Sequence, residues 1–232
     1  MAFNYQSNTE EDLYQDLFYP MYFNLNERKV VVLGGGKVAE RKVLTLLEYR
    51  AQVTLISPEL TDALDVMADA GIIEYIDRRY EYGDLKDAVL VISAVGDVEV
   101  DKDIYNEAQE HHIPINVVDY PELCTFTVPS VVRRDPVQIA ISTGGNSPAY
   151  AQRIRRELEE EFPMLVGPYV TMLGNVRDLI KARIADDGKT RARLLHTIVD
   201  SDLFERFKAN PEISAQEVYQ EFVQPELDSL KD

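Results

Sequence analysis

Three places in this 232-residue chain carry residues whose type and spacing could do chemistry. In VVVLGGGKVAERK, Gly34, Gly36 and Ala39 follow the pattern G-x-G-x-x-G/A. The first glycine of that pattern permits a tight turn, the second lets backbone approach a pyrophosphate, and the small third residue lets helix and strand pack closely. The helix start adds free N–H groups and partial positive charge for phosphates. In NVVDYPEL, Asp119 stands where a strand ends and could act as a general base; it could equally be the turn-forming aspartate before Tyr120-Pro121. In STGGNSP, Ser142, Thr143, Gly144, Gly145, Asn146 and Ser147 lead into a helix, with Ser147 suited to the N-cap and Pro148 to the first helical position. Arg153, Arg155 and Arg156 follow, and could hold carboxylates or pair with Glu157, Glu159 or Glu160.

These residues need elements to position them. Apolar runs predict parallel strands at Lys29–Leu33, Gln52–Ile56, Ile72–Ile76, Ala88–Ala94 and Ile113–Val118. Helical periodicity predicts helices at Lys37–Tyr49, Glu59–Ala70 and Asp97–His112 between them. Strands alternating with helices imply right-handed βαβ units, hence an α/β, Rossmann-type parallel sheet. Thr125–Arg134 and Val137–Thr143 read as a β-hairpin around Arg134-Asp135-Pro136. After Pro148 the chain reads as helices at Pro148–Phe162, Gly167–Ile184, Thr190–Ala209 and Ser214–Phe222. The expected division is 1–120, a dinucleotide-binding domain whose residues 1–20 are a loose lead-in; 121–147, a dimerisation hairpin; and 148–232, a helical domain for substrate and dimer contacts.

The expected cofactor set is Gly34, Gly35, Gly36, Lys37, Val38, Ser57, Ala94 and Val95. A carboxylate about 20 residues after the glycines normally holds the adenine ribose 2′-hydroxyl. Here the second strand closes on Ser57-Pro58-Glu59, where Ser57 could donate to a 2′-oxygen, and no arginine stands nearby in sequence for a 2′-phosphate. The expectation is NAD.

A net charge of −17 argues against nucleic acid and anionic membrane surfaces as partners. No apolar run is long enough to span a membrane. The polar, acidic N-terminus does not resemble a secretory signal, and one cysteine, Cys124, fits a reducing cytoplasm. Cytoplasmic localisation is expected.

Together, the stretches MYFNLNERKVVVLGGGKVAERKVLTLLE, VTLISPEL, NVVDYPELCTFTVPSVV and VQIAISTGGNSPAYAQRIRRELE resemble the precorrin-2 dehydrogenase / sirohydrochlorin ferrochelatase family of sirohaem synthesis. The resemblance runs from Met21 to Pro163. It implies NAD-dependent oxidation of precorrin-2 to sirohydrochlorin, with Fe²⁺ insertion in some members. It implies a homodimer in which the hairpin and following helices build the interface and the tetrapyrrole cleft. The family's active-site aspartate matches Asp119, its S-[ST]-G-G hydroxyl position matches Ser142 and Thr143, and its turn glycines match Gly34, Gly35 and Gly36. A polycarboxylated macrocycle needs local cations in so acidic a protein. Arg133, Arg134, Arg153, Arg155 and Arg156 are the candidates, and Arg153 and Arg156 head the substrate-binding set with Ser142–Ser147.

No pre-formed metal site is legible. His111 and His112 end a helix, His196 lies on a mixed face, and Cys124 reads as packing. Asp119 would be the metal ligand if the chain chelates. Two rival readings remain: an NAD-sensing module without catalysis, and a chelatase alone.

Overall fold

The structure is a computed structural model and describes residues 18–185 and 187–229. Most of the expected N-terminal lead-in, residues 1–17, lies outside the described residues. The chain divides into two compact units that meet at Val128/Pro129.

The first unit is a five-stranded parallel sheet. Its strands are β1 (Lys29–Leu33), β2 (Gln52–Ile56), β3 (Glu74–Ile76), β4 (Leu90–Ser93) and β5 (Ile115–Val117), in the order β3-β2-β1-β4-β5. Three helices connect them: α1 (Lys37–Glu48), α2 (Asp62–Asp69) and α3 (Val98–Glu110). Because successive strand side chains point to opposite faces, the valine run of β1 feeds two cores. Val30 and Val32 pack with Ala39, Val43, Leu46 and Leu64 from α1 and α2. Val31 and Leu33 pack with Ile104 and Ala108 from α3. A strand covered on both faces must be apolar throughout, which is why β1 reads as an unbroken run.

The expected strands and helices are present with trimmed ends. The second helix starts at Asp62 rather than Glu59, because Thr61 is its N-cap and accepts from the Leu64 N–H. Thr125 does not open the hairpin. Its N–H donates to the Ile115 carbonyl (2.8 Å) and its Oγ1 accepts from the Ile115 N–H (2.9 Å). The Asn116 amide donates to the Phe126 carbonyl at 3.1 Å. Residues 125 and 126 thus satisfy the outer edge of β5, an edge that would otherwise invite another strand.

The second unit opens with an antiparallel pair, β6 (Ser130–Arg134) and β7 (Val137–Ile141), whose Val132 and Ile141 pack on Ala151 of α4 (Pro148–Glu161). A helical bundle follows: α5 (Val166–Arg183), α6 (Gly188–Val199), α7 (Leu203–Ala209), α8 (Ala215–Phe222) and α9 (Gln224–Ser229). Tyr169, Met172, Val176 and Ile180 form the apolar stripe of α5, and they pack with Leu194, Ile198, Leu203, Phe207, Val218 and Tyr219.

The single helix expected over Thr190–Ala209 is two. Ser201 makes the break: its hydroxyl donates to the Ile198 carbonyl (2.7 Å) and accepts from the Leu203 N–H (3.2 Å). Short polar side chains in Asp200-Ser201-Asp202 compete for backbone groups and end one helix while starting the next. The bend brings Leu203 and Phe207 into the core that Leu194 and Ile198 already share.

Candidate functional site

The glycine turn links β1 to α1. Gly34 has φ +98°, a conformation open to glycine, and an added Cβ there would lie 2.4 Å from the Ala94 carbonyl oxygen. A Cβ on Gly35 would lie 1.9 Å from the Glu59 carbonyl oxygen. These two glycines are therefore required by the protein's own packing. Gly36 differs: a Cβ there would meet nothing within 4 Å. Gly36 is also the N-cap of α1 and has no side chain to satisfy the first-turn N–H groups. Space left open against an uncapped helix start is what a phosphate group fits.

That turn lies on a cleft of about 960 Å³ at the carboxyl ends of the strands, where the strand order reverses between β1 and β4. Of the expected cofactor residues, Gly34, Gly35, Gly36, Ser57, Ala94 and Val95 line it. Lys37 and Val38 begin α1 without lining it, and the Lys37 ammonium pairs with Glu40 at 2.9 Å. Ser57 is buried, and its hydroxyl donates to the Glu59 carbonyl at 2.8 Å. The proton that Ser57 was expected to offer a ribose oxygen is already used.

The far wall comes from residues that sequence reading missed. Arg79, Tyr80, Glu81 and Tyr82 line the cleft from the loop after β3, and Asp97, Val100, Asp103, Asn106, Glu107 and Glu110 line it from α3 and its cap. The buried Glu107 carboxylate organises this wall. It accepts from the Tyr80 hydroxyl (2.5 Å) and from the Gly83 and Leu85 N–H groups (3.0 Å each). Burial, and then the Glu107 carboxylate, push the Tyr80 phenol far above its ordinary range, so it stays a donor. Arg78 grips Asp84 with two nitrogens, at 2.8 and 2.7 Å. As expected from the sequence, no arginine directly follows β2. β3 pairs beside β2, and Arg79, three residues past β3, reaches the same cleft.

Asp119 lies two residues beyond β5 on the same edge of the sheet, exposed, with φ +68°. It is not among the residues lining the cleft. A left-handed aspartate held in a fixed turn is uncommon and marks a constrained position. Cys124 fixes that turn. Its sulfur accepts from the Val117 N–H (3.2 Å) and stands within hydrogen-bonding distance of the Val117 (3.2 Å) and Tyr120 (3.3 Å) carbonyls. Burial raises its thiol pKa, which suits this structural role. Among the described residues no cluster of three or more His, Cys, Asp or Glu could hold a metal ion.

In the second unit, STGGNSP is a closed, self-bonded turn. The Gly144 N–H donates to Ser142 Oγ (3.1 Å), the Ser147 N–H to Thr143 Oγ1 (3.1 Å), and the Asn146 side chain to the Thr143 carbonyl (3.1 Å). Gly144 and Gly145 have φ +59° and +81°. Ser147 caps α4 by accepting from the Tyr150 N–H, with Pro148 following as expected. The arginines separate by role. Arg134 donates to the Phe162 and Glu159 carbonyls (2.7 and 3.1 Å) and so closes the C-terminus of α4. Arg155 is committed to Glu159, Arg153 pairs with Glu157 at 2.8 Å in an exposed setting, and Arg133 pairs with Asp135 at 2.7 Å. Arg156 is exposed, and no hydrogen bond or ion pair engages its side chain among the described residues.

The 3-2-1-4-5 parallel order, the glycine turn and the cleft at the switch point define a Rossmann-type dinucleotide-binding protein. The family description "Putative NAD(P)-binding" matches residues 21–130, and "Sirohaem biosynthesis protein central" matches residues 134–161. Both matched segments lie within the part of the chain that is similar to siroheme synthases. It is 36% identical over 212 residues to a siroheme synthase of Thioalkalivibrio sulfidiphilus, covering 91% of this chain and 43% of that protein. It is 37% identical over 198 residues to one of Methylobacillus flagellatus, covering 85% of this chain and 41% of that protein. The chain thus spans about two fifths of the length of these relatives. The solved structure of SirC, a precorrin-2 dehydrogenase, superposes with a TM-score of 0.69 at 22% identity, covering 88% of this chain and 98% of that one, and so shares the fold.

Proposed function

We propose that this chain oxidises precorrin-2 to sirohydrochlorin with a nicotinamide dinucleotide, NAD⁺ by expectation, as the oxidant. The observation that carries the reading is the open face of Gly36 at the sheet's switch point, in a chain that also bears the sirohaem-specific central segment. The bound dinucleotide supplies a hydride acceptor. Gly34–Gly36 and the start of α1 hold its pyrophosphate through backbone N–H groups. Asp119 takes the proton that leaves the macrocycle as hydride departs. Ser142, Thr143 and the turn they close, with Arg156 and Arg153, hold substrate carboxylates. Arg153 must exchange Glu157 for that role, whereas Arg156 is available at once.

The chain works as a homodimer in this proposal. β6 and β7 form an isolated two-stranded sheet, which leaves backbone edges that a second copy would satisfy. Light scattering should give twice the chain mass; a monomer at micromolar concentration would refute this. Action in the cytoplasm follows from the same reading, and no helix among the described residues is long and apolar enough to cross a membrane.

The test is turnover of precorrin-2 with NAD⁺, followed by the absorbance of sirohydrochlorin. Asp119→Ala should abolish oxidation and leave dinucleotide affinity within about twofold of wild type, because an exposed turn residue outside the cleft lining contributes little to cofactor binding. Wild-type turnover in that variant would remove Asp119 from the mechanism. Fe²⁺ insertion into sirohydrochlorin, assayed without NAD⁺, tests chelation separately, with Asp119 as the candidate ligand.

A further inference from the structure

The side chains of Ser93 and Asp101 meet behind the cleft lining. Ser93 is the last residue of β4, Asp101 lies in the first turn of α3, and both are buried. The Ser93 hydroxyl donates to one Asp101 carboxyl oxygen at 2.5 Å, and the other oxygen, also buried, has no partner among the described residues. An unpartnered buried oxygen costs stability that an apolar side chain of similar size would not. Neither residue lines the cleft, and the proposed proton and hydride transfers use neither. A polar pair held at such a cost points to a task of position.

Three parts of the sheet unit converge on the strand end that this pair fixes. The Ala94 N–H donates to the Leu33 carbonyl at 2.8 Å, and the Ala94 carbonyl oxygen lies 2.4 Å from where a Cβ on Gly34 would sit, so the end of β4 is seated against the glycine turn. The Ser93 carbonyl accepts from the Val118 N–H at 2.9 Å, one residue before Asp119. The Ser93 side chain is tied to α3, whose Val100 and Asp103, on either side of Asp101 in the chain, line the cleft. Ala94 and Val95, which follow Ser93, line it as well. One buried bond thus joins the cofactor wall, α3 and the turn that bears Asp119.

We propose that Asp101 is a positioning residue: through Ser93 it holds Ala94 and Val95, and with them the cofactor wall, in register with Asp119. The inference rests on the proposed oxidation of precorrin-2. Steady-state turnover of precorrin-2 with NAD⁺ by the full-length protein tests it, alongside NAD⁺ affinity by calorimetry and the denaturant midpoint. Ser93→Ala alone, and Ser93→Ala combined with Asp101→Leu, both remove the bond. The combined change leaves neither partner polar, so its midpoint should stay near that of wild type. Both variants should lose roughly tenfold or more in kcat, the scale of a small misplacement at the reacting centre, with KM and NAD⁺ affinity within about threefold of wild type. Asp101→Asn, whose amide oxygen still accepts from Ser93, should keep kcat within about threefold. Ser93→Ala, which deletes a single oxygen, carries the test if the combined variant does not fold. Wild-type kcat in a folded variant without the bond overturns the proposal, as does an Asp101→Asn variant as slow as Ser93→Ala. Absence of turnover by wild type overturns the underlying reading of the reaction as well.

Discussion

The three glycines of one turn carry different burdens. Gly35 has a carbonyl oxygen where a Cβ would sit, and Gly36 faces open space. Gly35→Ala should therefore lower stability by about 1–3 kcal/mol through overpacking, read from the denaturant midpoint. Gly36→Asp should leave the midpoint nearly unchanged but abolish dinucleotide binding, because it fills and charges the phosphate approach. Equal destabilisation by both changes would show that the turn is only structural. Asp101 offers a separate test. It is 1% exposed; one oxygen accepts from Ser93 at 2.5 Å and the other has no partner. Burial raises its pKa, the Ser93 bond acting the other way. A raised carboxyl pKa contributes stability that is complete below the unfolded value, about pH 3.9, and is lost as pH rises through the folded value. Asp101→Asn should remove that loss, so its advantage over wild type grows with pH above 4. Parallel stability profiles would refute the assignment.

At the level of elements, carboxylates and serines shape the cleft more than hydrophobic patterning does. Glu107 ties the loop after β3 to α3 through two backbone N–H groups and a phenol. Glu107→Ala strands those donors, each at a cost of about 1–3 kcal/mol. Hydrogen exchange at the Gly83 and Leu85 amides should accelerate well before exchange in β1. Unchanged protection there would show that the loop is held by other contacts. The glycine–hairpin approach in the second unit is similarly demanding: a Cβ on Gly167 would lie 2.4 Å from the Asp135 carbonyl oxygen. Not all of this was legible. The N-cap of α4 was, because Ser147-Pro148 is a local signal. The break at Ser201 was not, since a short polar triple inside an apolar periodicity reads as the solvent face of one helix.

The whole molecule has two cores in its sheet unit and one main core in its helical unit. With the cleft lined wholly by residues before Val128, dinucleotide should stabilise that unit alone. At a hundred times Kd the gain is about 2.7 kcal/mol. Calorimetry is expected to show two transitions, only one of which moves with added cofactor. A single transition moving as a whole would mean that the units unfold together. The sequence by itself determined the strands, most helices, the glycine turn and the aspartate after β5. Each of these is written in neighbouring residues, by a period of two, a period of about 3.6, or a cap. The tertiary structure alone decided which glycine faces open space, that Ser57 has spent its proton, and that Arg79 lines the same cleft as the end of β2. Those facts depend on the lateral order of strands, and hydrogen bonding between β2 and β3 brings together residues some twenty positions apart that no local pattern connects.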